Sequence, residues 1–243
     1  MLRILLIMLI PFTVLSEEKI KLTKWSGETK LKLEGLMKKF GPQGRYVVFD
    51  ADNTIWKGDL EESLMPYLEM KGVLSLEKLP PELKILPIKK GESLCNYYNR
   101  LYDVDVEVSF AWIAQVFSGI PLKTLKKHVD ELYAFKGDIP IEYEENGKLV
   151  KSSLKAPKIY PAQRELINKM KKSGLKVYVM TAALEELVRM VVSDPKYGLG
   201  IKPENVIGVT LLLKDPVSGK MTTARKEVEK GTFLTKSHSY EKH

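Results

Sequence analysis

A short apolar segment that ends in two closely spaced acids constrains this chain most. Tyr46 to Phe49 is a run of aromatic and β-branched residues, bounded upstream by glycine and proline, which predicts a buried strand. The segment Asp50-Ala51-Asp52-Asn53-Thr54 follows it directly. Because an open α/β sheet binds its ligands beyond the carboxyl ends of its strands, this position favours a chemical site.

The spacing of the two acids limits what that site can do. Asp50 and Asp52 repel each other unless a cation lies between them or one of them carries a proton. The pair therefore favours a hard divalent metal such as Mg²⁺, or a division of acid and base roles. The alternative is an ordinary Asp-Asn turn after a strand.

A hydroxyl after a second predicted strand offers a partner for the acids. Leu175 to Met180 forms the strand pattern, and Thr181-Ala182-Ala183 precedes the predicted start of a helix at Leu184. A hydroxyl and free main-chain N–H groups at such a position suit a phosphoryl oxygen. The alternative is that Thr181 only caps the helix.

The order of the predicted elements divides the chain into a core and an insertion. Between the first motif and the strand near Lys176 the pattern is mostly helical, as expected for a cap over an active site. We therefore predict an α/β fold with a Rossmann-like parallel-sheet core, residues 17–60 and 156–243, and a mainly helical cap, residues 61–155. A hairpin is expected within residues 137–158.

The first 16 residues have the pattern of a secretory signal peptide. A short positive start precedes the apolar run from Ile4 to Leu15, which is shorter than the roughly 20 residues that span a bilayer. An uncleaved anchor is the alternative. The single cysteine, Cys95, cannot form an internal disulfide, so a periplasmic location is favoured over a disulfide-rich secreted scaffold.

The charge pattern argues against nucleic acid as a partner. The formal net charge is +8, but Lys and Arg are dispersed among acids and form no basic stripe. A basic balance can still attract phosphorylated anions through a general field. We expect a small phosphorylated substrate, no nucleic acid, and no stable membrane insertion after signal cleavage.

An aromatic and acidic cluster in the predicted cap suits a quaternary ammonium group. Aromatic faces and carboxylates attract such a cation by cation–π and charge interactions. The alternative is that the aromatic side chains form the cap interior and the acids form a turn. The candidate residues are Tyr97, Tyr98, Tyr102, Asp103, Asp105 and Trp112.

The first motif resembles that of the haloacid dehalogenase-like phosphohydrolases, in which an apolar strand precedes Asp-x-Asp-x-Thr. This resemblance implies that Asp50 is a nucleophile that forms an aspartyl-phosphate, a known use of carboxylates in catalysis. It implies that Asp52 is the general acid and base, and that Asp50 and Asp52 bind Mg²⁺. The phosphate-binding residues that it implies are Asn53, Thr54, Thr181 and Ala182.

Further segments resemble the periplasmic phosphorylcholine phosphatases over nearly all of the chain that follows the signal segment. These segments are Asp59–Leu64, the Tyr97–Leu101 region, Trp112–Gly119, Thr181–Glu186 and Asp194–Gly198. The resemblance implies an exported, Mg²⁺-dependent phosphomonoesterase for phosphorylcholine or a similar ester, with choline in the aromatic cluster. The alternatives are a phosphatase for phosphoserine or another small phosphate, and a choline-binding protein without catalysis.

The last part of the sequence departs from the superfamily pattern. That pattern includes a basic residue for the aspartyl-phosphate and a late strand ending in Gly-Asp, with another acid for Mg²⁺. No such strand follows the predicted strand at Val206–Thr210. Candidates for the basic residue are Lys214, Lys220 and Lys226, but the pattern favours solvated surface lysines at each position. We therefore expect a core shortened at its C-terminus, with an exposed sheet edge and impaired catalysis.

Overall fold

The computed structural model describes residues 20–214, together with 219, 221–222 and 233–235. The predicted signal peptide, residues 1–16, lies outside the described residues, as do Lys220 and Lys226. The helices are α1 Gly27–Phe40, α2 Leu60–Met70, α3 Leu94–Val104, α4 Val106–Gln115, α5 Leu122–Ala134, α6 Pro161–Ser173 and α7 Glu185–Val192. The strands are β1 Tyr46–Phe49, β2 Trp56–Lys57, β3 Ile139–Glu145, β4 Lys148–Leu154, β5 Lys158–Ile159, β6 Lys176–Leu184, β7 Val206–Val209, β8 Leu212–Lys214, β9 Met221–Thr222 and β10 Phe233–Thr235.

A parallel sheet with the strand order β1-β6-β7 carries the first motif. Tyr46 pairs with Lys176 and Phe49 with Val179, so β1 and β6 run side by side in the same direction. This register places Asp50, which follows β1, next to the segment that contains Thr181. The predicted α/β fold with a parallel sheet is confirmed.

The end of β6 differs from the prediction. The strand continues to Leu184, and its register with β7 shifts between Met180 and Leu184. A Cβ atom at Gly208 would lie 2.6 Å from the main-chain oxygen of Ala183, so only glycine permits this close approach. Thr181 therefore lies in an irregular part of the strand and not at its end.

The insertion between β2 and β5 is mainly helical and closes with a hairpin. Strands β3 and β4 pair from Ile139 with Leu154 to Glu145 with Lys148, as predicted. Asn146 and Gly147 both have positive φ, of 51° and 73°, which fits the tight two-residue turn. The hairpin is joined to α3, because the Asn96 side chain accepts a hydrogen bond from the Glu144 N–H at 2.7 Å.

One face of the parallel sheet is exposed in the described part of the chain. Tyr46 and Val48 on β1, Met180 on β6 and Ile207 on β7 are each between 45% and 71% exposed. Parallel sheets usually have both faces covered. Within the described residues β1 is also an edge strand, so the strand that precedes Asp50 lies at the side of the sheet.

Candidate active site

The loop after β1 is held by hydrogen bonds between its own residues. Thr54 Oγ1 donates to Asp50 Oδ2 at 2.9 Å, and the Ile55 N–H donates to the Ala51 carbonyl at 2.8 Å. Asn53 adopts a positive φ of 56°, and its side-chain oxygen accepts from the Gly58 N–H at 2.9 Å. Asx residues tolerate this left-handed conformation better than most. The turn keeps Asp50 exposed at the edge of the sheet.

Asp52 is fixed through one of its two carboxylate oxygens. Its Oδ1 accepts from Trp56 Nε1 at 2.7 Å and from the Leu60 N–H at 2.8 Å. The Trp56 side chain is fully buried. Two donors on one oxygen hold the carboxylate in a single orientation, with its side chain at the wall of a cavity.

Three further acids come from the start of α2. Asp59 is the N-cap residue, and its carboxylate accepts from the Glu62 N–H at 2.9 Å. Glu61 is buried and accepts from the Leu184 N–H at 2.8 Å, which joins α2 to the end of β6. Glu62 Oε1 accepts from the Tyr98 hydroxyl at 3.2 Å, which joins α2 to α3.

These elements enclose one cavity of about 140 Å³. It lies between the ends of β1 and β6 on one side and the helices α2, α3 and α4 on the other. The lining combines five acids, the two hydroxyl-bearing residues Tyr98 and Thr181, and apolar groups, and it contains no basic side chain from the described residues. Its residues are Asp50, Asp52, Asp59, Glu61, Glu62, Tyr98, Phe110, Ile113, Thr181, Ala182 and Ala183.

Burial and mutual repulsion shift the titration of these acids. Burial, reinforced by the Asp59 charge, raises the pKa of Asp52 from its usual value to about 7. Burial raises the pKa of Asp59, and burial together with Asp59 raises that of Glu62. Burial also raises the pKa of Glu61 well above its usual value. The cavity therefore disfavours negative charge unless a cation or protons accompany it.

The acids satisfy part of what Mg²⁺ requires. Mg²⁺ prefers oxygen ligands in near-octahedral geometry, and the Asp50 carboxylate and Asp52 main-chain carbonyl come from one short loop. However, no group of three or more Asp, Glu, His or Cys residues converges closely enough to hold a metal within the described residues. Lys214 and the other described lysines do not line the cavity. The loop supplies two candidate ligands and fits the ion only in part.

The predicted choline residues separate into three groups. Tyr98 lines the cavity. Tyr97 and Trp112 are buried within the insertion, where their polar atoms bond to the main chain at Leu86 and Leu83. Tyr102, Asp103 and Asp105 are exposed and do not line the cavity, and Asp105 caps α4. The structure therefore does not bring these six residues together around one pocket.

The predicted phosphate-binding residues also separate. Thr181 and Ala182 line the cavity beside Asp50. Asn53 and Thr54 do not line it, and their main-chain N–H groups donate to Gly58 and Ala51 within the loop. The geometry thus gives Thr54 a part in holding Asp50 and gives Asn53 a part in the turn.

Sequence reasoning assigned no site role to several residues that line the cavity. Asp59, Glu61 and Glu62 form part of a segment that carried the family resemblance, but acids in the first turn of a helix are common for electrostatic reasons alone. Phe110 and Ile113 lie three residues apart on α4, so their side chains face the same side of that helix. Only the pairing of α2 with β6 and α3 reveals that these side chains share a cavity.

Comparison with known proteins finds a closely similar relative. The chain is 48% identical over 222 residues to a phosphorylcholine phosphatase from Pseudomonas aeruginosa. The match covers 90% of this chain and 64% of the relative, so the chain spans somewhat less than two thirds of the relative's length. This similarity confirms the resemblance predicted from the motifs. No family model matches the chain.

One solved structure shares the fold of this chain. A conserved protein of unknown function from Anaerococcus prevotii superposes with a TM-score of 0.56 at 16% identity, covering 83% of this chain and 72% of that chain. This likeness concerns the fold alone. A phosphoserine phosphohydrolase-like protein from Francisella tularensis reaches a TM-score of 0.39 at 16% identity, over 75% of this chain and 66% of that chain.

Proposed function

We propose that this chain, a homologue of phosphorylcholine phosphatase, is a phosphomonoesterase that acts on phosphorylcholine or a similar small phosphate ester. The observation that carries the proposal is the convergence of Asp50, Asp52 and Thr181 on the walls of one cavity. Asp50 and Asp52 lie in the loop after β1, and Thr181 lies on the adjacent parallel strand β6. Their juxtaposition matches what phosphoryl transfer needs: a nucleophile, a proton donor and a group that holds the phosphoryl oxygens.

The first chemical step is assigned to Asp50 and Asp52. The Asp50 carboxylate, held at Oδ2 by Thr54, attacks phosphorus with its other oxygen while the bond from phosphorus to the ester oxygen breaks. Asp52 gives its proton to the departing alkoxide, which leaves as the alcohol. Thr181 and the neighbouring main chain at Ala182 hold the phosphoryl oxygens.

The second step reverses the proton movement. Asp52 accepts a proton from a water molecule as the water oxygen attacks the aspartyl-phosphate on Asp50, and the bond between phosphorus and Asp50 breaks. Inorganic phosphate leaves and Asp50 is free again. Bound Mg²⁺ would neutralise charge on the phosphoryl oxygens, and Asp50 and the main-chain carbonyl of Asp52 are the groups that would hold it.

The choline group is assigned to the side of the cavity formed by α2, α3 and α4. Glu62 and Tyr98 meet there, and the apolar side chains of Phe110 and Ile113 line the same cavity. A trimethylammonium group gains from an aromatic face and from a carboxylate that is partly removed from water. This assignment retains Tyr98 from the predicted cluster and adds Glu62.

The test is phosphate release from phosphorylcholine by the purified chain, with Mg²⁺ and with a chelator. Asp50→Asn is expected to abolish Mg²⁺-dependent release, because the amide is a poor nucleophile. Asp103→Asn is the matched control, since it also removes one carboxylate but at an exposed position on α3 outside the cavity. Equal release by wild type and Asp50→Asn would refute the proposal.

A second candidate is a protein that binds choline compounds without turnover. It is favoured by the lining of the cavity, where the described residues supply acids but no basic group to balance an aspartyl-phosphate. Calorimetric titration with choline, together with the assay of phosphate release, distinguishes the binding protein from the enzyme. Binding without release of phosphate under any metal condition would support the second candidate, whereas release that depends on Asp50 supports the first.

We further propose that the chain is exported to the periplasm with cleavage after residue 16. The support is the charge and hydropathy pattern of the first 16 residues. In the described part of the chain, no helix has the length and apolar character needed to cross a membrane. Mass spectrometry of the chain recovered from periplasmic and membrane fractions of a Gram-negative host tests this. An intact N-terminus in the membrane fraction would contradict it.

A further inference from the structure

Trp56 is the one described tryptophan whose indole donates to a side-chain carboxylate. Trp56 Nε1 lies 2.7 Å from Asp52 Oδ1. By contrast, the indoles of Trp25 and Trp112 donate to main-chain carbonyls, at Ala162 and Leu83. A carboxylate acceptor can be ionised, which a main-chain carbonyl cannot, and a hydrogen bond to an ionised acceptor is stronger than one to a neutral carbonyl. The contact of Trp56 is therefore chemically distinct from the other two.

The loop geometry makes this contact rigid. Trp56 lies four residues after Asp52, on the two-residue strand β2, and its ring is fully buried. Strand β2 pairs with β5, where Trp56 is opposite Ile159. A ring in such a position cannot change its rotamer without disturbing the packed interior. Trp56 therefore presents its N–H to Asp52 from a fixed position.

The insertion supports the other side of the same ring. Tyr133 on α5 packs edge-to-face against Trp56, with ring centroids 6.5 Å apart and an interplanar angle of 87°. Tyr197 lies against Tyr133 at 5.0 Å and donates its hydroxyl to Asp130 at 2.6 Å. Aromatic pairs with this geometry contribute beyond their buried area. The indole is thus held between β5 of the core and α5 of the insertion.

We infer that Trp56 is a positioning residue that holds Oδ1 of Asp52, so that the other carboxylate oxygen, Oδ2, is the one that exchanges protons with substrate and water. Both described hydrogen bonds to this carboxylate, from Trp56 and from the Leu60 N–H, reach Oδ1, and the described residues place none on Oδ2. This inference rests on the proposed function for its kinetic consequence. The indole contact itself is tested without turnover.

Nuclear magnetic resonance of the chain labelled with ¹⁵N-tryptophan tests the contact. The sequence has three tryptophans, so three indole signals are expected, and Trp→Phe variants assign them. In Asp52→Asn the acceptor loses its charge, so the Trp56 indole signal should move while those of Trp25 and Trp112 stay in place. Asp103→Asn, which changes an exposed acid, should move none of them.

Kinetics test the positioning role. In Trp56→Phe the donor is lost while most of the ring remains, so kcat for phosphorylcholine should fall by about 10-fold to 100-fold with little change in KM. Hydrolysis of an aryl phosphate, whose leaving group needs little protonation, should fall much less. Trp112→Phe is the matched control, because it removes an equally buried indole that donates at the same distance of 2.7 Å to Leu83.

The outcomes separate the inference from the proposed function. A Trp56 indole signal that ignores Asp52→Asn would overturn the inference, whether or not the chain has activity. Equal losses for the alkyl and aryl esters in Trp56→Phe would also overturn it, because they indicate general damage. A wild-type chain without turnover, but with a Trp56 signal that responds to Asp52→Asn, would refute the proposed function and retain the contact between Trp56 and Asp52.

Discussion

Replacing Tyr97 by Phe distinguishes a structural role of this residue from a role in binding choline. The Tyr97 hydroxyl accepts a hydrogen bond from the Leu86 N–H at 2.7 Å and donates to the Leu86 carbonyl at 3.1 Å. Its ring is fully buried and lies 5.3 Å from that of Trp112. One hydroxyl therefore satisfies both main-chain polar groups of a residue in the segment between α2 and α3.

The expected cost follows from these two bonds. A buried polar group that loses its partner costs about 1–3 kcal/mol. Leu86 is only partly buried, so water can replace some of the loss. We expect Tyr97→Phe to lower the free energy of unfolding by about 2 kcal/mol, which for a chain of this size corresponds to a fall in Tm of about 4–8 °C.

Urea unfolding and calorimetric titration with choline measure the two effects separately. Tyr102→Phe is the matched control, because it removes a hydroxyl from the same helix at a side chain that is 46% exposed. The control should leave stability within about 0.5 kcal/mol of wild type. A Tyr97→Phe variant with wild-type stability and weakened choline binding would refute the structural role and support the original choline assignment.

Two further predictions concern stability. Burial raises the pKa of Glu61 well above the usual 4.5. Between pH 4.5 and that raised pKa, the folded chain binds more protons than the unfolded chain. The folded chain therefore loses stability as the pH rises through this range. Glu61→Gln keeps an acceptor for the Leu184 N–H. The variant should therefore be more stable than wild type at pH 8, and its stability in urea unfolding should depend less on pH. Identical pH profiles for the two proteins would contradict this. Gly174 has a φ of 102°, and a Cβ there would lie 2.6 Å from the Gly41 carbonyl oxygen. Gly174→Ala should lower the free energy of unfolding by about 2–4 kcal/mol, and Gly72→Ala, with positive φ but open space, by about 1 kcal/mol; equal losses would disprove the steric argument.

The parts of the site that sequence predicts are those fixed by local pattern. The apolar run before Asp50 specifies a strand, and the second run before Thr181 specifies another. The prediction that the first strand is buried is wrong for the described chain, because Tyr46 and Val48 are exposed on β1. Parallel pairing then brings Asp50, directly after β1, beside the Thr181 segment of β6. The register shift at Gly208 was not predictable, because it depends on a close approach of β7 to the main chain of Ala183.

The aromatic cluster shows where sequence reasoning fails. Successive residues on a helix point about 100° apart, so Tyr97 faces away from Tyr98 and Tyr102, which are four residues apart and lie on roughly the same side. The sequence does not reveal which direction is interior and which faces the cavity, because this depends on where α3 packs against α2 and the hairpin. In the structure Tyr97 faces the segment at Leu86, Tyr98 faces Glu62, and Tyr102 faces solvent.

The first turn of α2 explains how a loop motif and a remote insertion come to share one cavity. Asp59 caps the helix, Glu61 holds the end of β6 through Leu184, and Glu62 holds α3 through Tyr98. Each of these carboxylates accepts a hydrogen bond from a donor on a different element. Without such a donor, a charge buried among apolar groups would be unfavourable. The same contacts gather acids around Asp52, and of these three the Asp59 charge adds to burial in raising the Asp52 pKa. Packing of the insertion on the core and the chemistry of the cavity therefore depend on one set of side chains, so changes to Glu61 or Glu62 should alter stability and any turnover together.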